Sequence, residues 1–193
     1  MTQTNPGILL VLVGPSGVGK STIARKLADE TQIVYVVSAT TRPKKPGDEK
    51  GKTYDHISRD EFIRRLDADD FLEYASVYDD YYATPKHPTL ECIEAGRDVM
   101  LEIDVQGALQ VRYHYPDAML VFLLPPDEQT LLQRLSDRGR DKPDEIQRRF
   151  RSARREIQMA EGSRAFDHMV VNDDLHRATR EILELIRYKK EKG

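Results

Sequence analysis

The sequence predicts an α/β fold built on a parallel sheet, and three observations predict it. Short, wholly apolar runs rich in branched residues, at positions 8–13 and 118–124, lack the alternation of a half-buried strand, so they read as strands covered on both faces. Helical stretches separate them, the pattern of βα units joined by right-handed crossovers. The length, 193 residues, suits one domain with an inserted lobe.

Each element has its own signal. Residues 8–13 form the first strand, and a Gly-rich turn leads into a helix over about 20–31, with Ile23, Ala24 and Leu27 on one face. A short strand follows at 34–37. From 38 to about 88 the pattern breaks: the stretch is rich in Lys, Asp, Gly and Pro and holds five of the nine tyrosines. It reads as a polar inserted lobe with one helical piece at 60–66. Alternation then resumes. A helix over 88–95 has Pro near its start and Gly96 just past its end. A strand at 99–103, a helix over 105–113 and a strand at 118–124 follow, the last stopped by Pro125 and Pro126. A helix over 127–138 carries Leu131, Leu132 and Leu135. Pro143, Asp144 and Glu145 suit the first turn of a helix that runs to about 161. A strand at 168–171 and a helix over 175–188 complete the chain.

Composition excludes several classes of function. Thirty Lys and Arg against 33 Asp and Glu leave a net charge of −3, which argues against a general nucleic-acid coat and against nucleic acid as a partner. The longest apolar run is seven residues, against about 18 for a membrane helix, so no membrane partner is expected. The first seven residues carry no Lys or Arg and the apolar run behind them is short, so no signal peptide is expected and the expected location is cytoplasmic. A single cysteine, Cys92, and five scattered histidines exclude an intrachain disulfide and a cysteine-cluster metal site.

The turn after the first strand carries chemistry. Gly14, Pro15, Ser16, Gly17, Val18, Gly19, Lys20 and Ser21 fit G-x-x-x-x-G-K-[ST], the P-loop, with Thr22 following inside the helix. Glycines let backbone N–H groups turn toward phosphate oxygens, and the helix start adds the positive end of its dipole. Lys20 places a charge on β and γ phosphates, and the Ser21 hydroxyl can ligate Mg2+. The motif names a nucleotide without naming a reaction.

Further segments narrow the reaction. The run from Ser38 through Arg42, Lys45 and Tyr54, then Phe71-Leu72-Glu73-Tyr74-Ala75, then Tyr81-Tyr82-Ala83-Thr84-Pro85, then Leu101-Glu102-Ile103-Asp104-Val105-Gln106-Gly107 follow the P-loop in order. Together these resemble guanylate kinase over nearly the whole chain. The resemblance implies a P-loop parallel-sheet core with helices on both faces, an inserted nucleoside-monophosphate-binding lobe and a basic lid. It implies a core at 1–37 and 88–193, the lobe at 38–87 and a lid at about 138–149. It implies phosphoryl transfer from ATP to GMP, with Mg2+ as the cofactor.

The resemblance assigns Glu73 and Asp104 to the guanine, with Ser38 and Thr84 as hydroxyls beside it. The chemistry agrees: guanine offers donors at N1 and N2, which carboxylates accept, and an acceptor at O6, to which a hydroxyl donates. Adenine presents the opposite pattern at its six-position and is disfavoured. Other readings stay open: Glu73 as a surface carboxylate, Asp104 as a helix cap. Arg42, Lys45, Tyr54 and Tyr82 match the clamp on the GMP phosphate. Three departures stand out. Lys45 replaces an Arg, Asp79-Asp80 replace Gly-Asn, and Ala83 replaces a Gly that a positive φ would require.

Between Arg134 and Arg155 nine basic residues face four acidic ones, so this window carries +5 and the rest of the chain −8. Ion pairs four residues apart, Asp144 with Arg148 and Glu145 with Arg149, explain part of the pattern but not the excess. Arg138 and Arg149 match the lid arginines, Arg134 is expected against adenine, and Asn172 matches a position near it. Two other readings compete: a kinase for another nucleoside monophosphate, and a non-catalytic module that binds a protein partner. Glu73 with Asp104 opposes the first, and the retained Lys20, Ser21, Arg138 and Arg149 oppose the second.

Overall fold

Strand β1 (Leu9–Val13) is buried along its whole length, and the core is arranged around it. The computed structural model describes residues 6–45, 48, 53–77, 79–137 and 142–192. After β1 come α1 (Lys20–Glu30), β2 (Val34–Tyr35), β3 (Ala39–Thr40), β4 (Asp55–His56), α2 (Arg59–Asp67), β5 (Phe71–Val77) and β6 (Asp80–Pro85). Then follow α3 (Lys86–Glu94), β7 (Val99–Glu102), α4 (Val105–His114), β8 (Met119–Leu124), α5 (Glu128–Ser136), α6 (Pro143–Ser163), β9 (His168–Val171) and α7 (Leu175–Lys192).

Five strands form one parallel sheet in the order β2-β7-β1-β8-β9. Successive residues of β1 point to opposite faces. Leu10 and Leu12 pack with Ile23 and Leu27 of α1 and Ile182 of α7. Leu9, Val11 and Val13 pack with Val105, Ala108 and Val111 of α4. Both faces are therefore covered by helices, which is why the strand reads as an unbroken apolar run. Full burial stabilises each such side chain by about 1.5–3 kcal/mol.

The inserted stretch differs from its expected form. Beyond the one helix, it contains a second sheet, ordered β4-β3-β6-β5, with β3 antiparallel to β6 and β5 antiparallel to β6. Its own small core holds Ala39, Phe62, Phe71 and Ala83. The Phe62 ring stacks between Phe71 and Tyr81, with centroids 5.0 Å away on each side. Ser58 caps α2 by accepting from the Glu61 amide at 3.1 Å. Ala83 is fully buried in β6. Its φ is not positive, since among the described non-glycine residues only Asp69 and Arg164 have positive φ. The methyl therefore fills the lobe's core without backbone strain.

Most helix ends fall within a residue or two of their expected positions. Helix α3 begins at Lys86 rather than 88, which places Pro88 inside the first turn, where a missing amide hydrogen costs nothing. Strand β2 ends at Tyr35 rather than 37, although the Val36 amide still donates to the Met100 carbonyl at 3.1 Å.

Candidate active site

Strand β1 ends at Val13, and the turn from Gly14 to Gly19 delivers the chain into α1. Gly19 is the residue before the helix, with φ at 100°. A Cβ there would lie 2.5 Å from Asn172 Nδ2, so both conformation and space demand glycine. Asn172 Nδ2 donates to the Val18 carbonyl at 2.7 Å. Arg134 donates to the same carbonyl at 3.3 Å and to the Asn172 carbonyl at 3.0 Å. The Val18 side chain lies in the core, so its part in the loop is played by its backbone. The Lys20 ammonium donates to the carbonyls of Gly14 and Pro15.

One cleft of about 600 Å³ runs from this loop to the inserted sheet. The P-loop residues Gly14, Pro15, Ser16, Gly17, Gly19, Lys20, Ser21 and Thr22 line one end. Ser38, Tyr54, Glu73, Tyr82 and Asp104 line the other, and Arg149 of α6 lies along the wall. Thr22, Arg134 and Asn172 border a second cavity of about 410 Å³, which shares Gly17, Gly19 and Thr22 with the first. Arg134 and Asn172 are the residues expected near adenine.

Glu73 is 4% exposed, which excludes the surface-carboxylate reading. Thr84 donates its hydroxyl to Glu73 Oε1 at 2.6 Å, so Thr84 holds the carboxylate and does not line the cleft itself. Burial pushes the Glu73 carboxyl up to about 7, with the Thr84 hydrogen bond opposing the shift and the nearby Asp104 charge adding to it. Asp104 is a helix cap as well as a cleft residue: its carboxylate accepts from the Gly107 amide at 2.9 Å. Burial raises its carboxyl too, against hydrogen bonds from the Gly107 and Gln106 amides.

At the phosphate-clamp end, Arg42 Nη2 donates to Asp48 Oδ2 at 2.9 Å, and its guanidinium lies 5.3 Å from the Tyr54 ring centre. The Tyr54 and Tyr82 rings meet edge-on at 5.6 Å, and burial pushes the Tyr54 hydroxyl up to about 12. Both phenols stay neutral donors at physiological pH. Arg42 and Lys45 do not line the cleft. Lys45 is exposed, and its amide donates to Asp48 Oδ2 at 2.7 Å. That bond is the main cause holding the Asp48 carboxyl below its ordinary value. Neither Asp79 nor Asp80 lines the cleft.

Arg138 and the adjoining residues to 141 lie outside the described residues. Helix α6 begins just beyond them, with Pro143 in its first turn and Glu145 accepting from the Lys142 amide at 3.1 Å.

Two cleft carboxylates escaped the sequence reading. Glu102 is the last residue of β7 and pairs in register with Leu12, so it emerges beside the P-loop. It accepts from Ser21 Oγ at 2.6 Å and from the Tyr35 hydroxyl at 3.1 Å. Its place at the carboxyl end of a parallel strand was the available signal. Glu156 of α6 also lines the cleft and accepts from Ser152 at 3.3 Å. Burial raises its carboxyl, opposed by the Lys20 charge. No local motif marks it.

A family model described as guanylate kinase matches residues 7–189. A protein of Gloeobacter violaceus named guanylate kinase is 49% identical over 179 residues, covering 92% of this chain and 86% of that one. One of Symbiobacterium thermophilum with the same name is 46% identical, covering 98% and 89%. The crystal structure of guanylate kinase from Anaplasma phagocytophilum superposes with a TM-score of 0.81 at 29% identity, covering 96% of this chain and 87% of that one.

Proposed function

The chain belongs to the guanylate kinase family, and on that premise we propose that its cleft transfers the γ-phosphoryl group of ATP to GMP, giving ADP and GDP. The observation that carries this reading is the one cleft that joins a phosphate-binding loop to the buried Glu73 carboxylate and the half-buried Asp104 carboxylate. Phosphoryl acceptor and donor then share one enclosure, with the base held at one end and the phosphates at the other.

The roles follow from the chemistry. Glu73 and Asp104 accept the N1 and N2 donors of guanine, and Thr84 holds Glu73 in place. The O6 donor is the Ser38 hydroxyl, since the Thr84 hydroxyl is committed to Glu73. Tyr54 and Tyr82 hold the GMP phosphate as neutral donors, and Arg42 and Lys45, which stand outside the open cleft, reach it when the lobe closes. The backbone N–H groups from Ser16 to Ser21 cradle the ATP phosphates, with Thr22 at their edge and Arg134 and Asn172 beside the adenine. Transfer passes through a loose transition state with charge on the equatorial oxygens, so positioning and positive charge are what the site must supply. Lys20, Arg42, Arg138 and Arg149 supply it, and no covalent intermediate or strong base is needed. Residues 38–87 serve as the GMP-binding lobe and about 138–149 as the lid; their closure excludes water and suppresses idle hydrolysis of ATP.

The donor set suits Mg2+. Ser21 and Glu102 present oxygens beside the loop, and among the described residues no group of three or more His, Cys, Asp or Glu could hold a metal. A cation that keeps most of its waters and binds chiefly through phosphates needs no more than this. Ser21 and Glu102 would hold it there, and its charge would offset that of the β and γ phosphates.

No described helix is long and apolar enough to cross a membrane, and the small-molecule substrates suit a cytoplasmic enzyme of purine nucleotide metabolism. The test is ADP formation from ATP with GMP, AMP, CMP, UMP or dTMP as acceptor. Rapid turnover confined to GMP is expected. Equal use of another acceptor would overturn the base assignment, and no turnover with any would favour a binding module.

A further inference from the structure

The geometry points to Gly107 as a positioning residue for guanine recognition, the position whose missing side chain lets the Glu73 carboxylate reach the base. This rests on the role given to Glu73 above.

Gly107 lies in the first turn of α4, after the Asp104 cap. A Cβ built there would lie 2.2 Å from Glu73 Oε2 and 2.9 Å from Glu73 Cδ, with Ile103 Cδ1 at 3.3 Å. The nearest neighbour is thus the carboxylate itself. Glycine is a poor helix former, so its presence inside α4 calls for another cause. Contact with Glu73 supplies one, because φ at Gly107 is not positive.

Glu73 has little room to yield. It is 4% exposed, and its other oxygen is held by Thr84 at 2.6 Å. A methyl on residue 107 would have to turn the carboxylate and stretch or break that hydrogen bond. The displaced group is a side-chain end, so the backbone can stay in place. The Asp104 cap can survive as well, because it uses the backbone amide of residue 107. The damage is therefore confined to the guanine acceptor and spares the fold and the ATP end of the cleft.

Gly107→Ala is the test, read by steady-state kinetics and thermal melting on the full chain. The KM for GMP is expected to rise about ten- to a hundredfold, the worth of one hydrogen bond to a charged group. The KM for ATP should hold and the melting temperature should fall by no more than a few degrees, since the better helix propensity of alanine offsets part of the lost Thr84 bond. Glu73→Asp supplies the control. Its carboxylate is one methylene shorter and stands back from the added methyl. In that background Gly107→Ala should change the KM for GMP less than twofold, as a contact-mediated effect requires. An unchanged KM for GMP in the single variant, an equal rise for ATP, or the same factor in both backgrounds overturns the inference. Glu73→Gln separates this from failure of the underlying reading: if it leaves the KM for GMP unchanged, the assignment of Glu73 itself is wrong.

Discussion

Replacing Glu73 by Gln should make the protein more stable and a worse enzyme, and the two effects should follow pH differently. The Glu73 carboxyl ordinarily titrates near 4.5, and burial raises it to about 7 in the folded chain. The folded state therefore holds this proton more tightly than the unfolded state does. Stability linked to it is fully present below about 4.5 and is lost as pH rises through about 7. The gap corresponds to about 3 kcal/mol at pH 8. Gln resembles the protonated acid, keeps an acceptor for Thr84 and carries no charge to desolvate. Urea denaturation should show Glu73→Gln about 3 kcal/mol more stable than wild type at pH 8, narrowing to about 1 kcal/mol at pH 5. The same substitution places an amide donor against a guanine donor, so the KM for GMP should rise by at least tenfold. In wild type that KM should fall as pH rises from 6 to 8, because guanine needs the ionised carboxylate; in the variant the dependence should be markedly weaker. Equal stability at pH 8, or a stability difference independent of pH, would refute the reasoning.

Three other outcomes are expected. Lys20→Ala should abolish transfer while leaving the melting temperature near wild type, because its ammonium contacts loop carbonyls and not the core; retained activity would count against the P-loop assignment. Phe62→Ala removes the ring between Phe71 and Tyr81 and should cost about 3–5 kcal/mol in denaturant unfolding; a loss below about 1 kcal/mol would show that the lobe does not depend on that core. Arg134→Ala loses two bonds that brace the loop and should raise the KM for ATP more than that for GMP in initial-rate measurements; the reverse order would move Arg134 away from the ATP end.

The sequence by itself determined what depends on neighbours along the chain. The P-loop is eight consecutive residues between a strand and a helix, and its shape follows from local glycine conformations and one helix start. Strands β1 and β8 declared themselves through unbroken apolar runs, because burial on both faces leaves no place for a polar residue. The tertiary structure decided what depends on residues brought together from afar. Strands β3 and β4 are two residues each, with no periodicity to read, and β3 exists because Ala39 and Thr40 pair with Ala83 and Tyr82. The motif named Glu73, but its burial, its elevated carboxyl and its bond to Thr84 come from packing across 11 residues of chain. Glu102 meets Ser21 across 81 residues of chain, and Gly107 meets Glu73 only because α4 lies against β5. A carboxylate's chemistry is set by how much water surrounds it and which donors face it, and linear order carries neither.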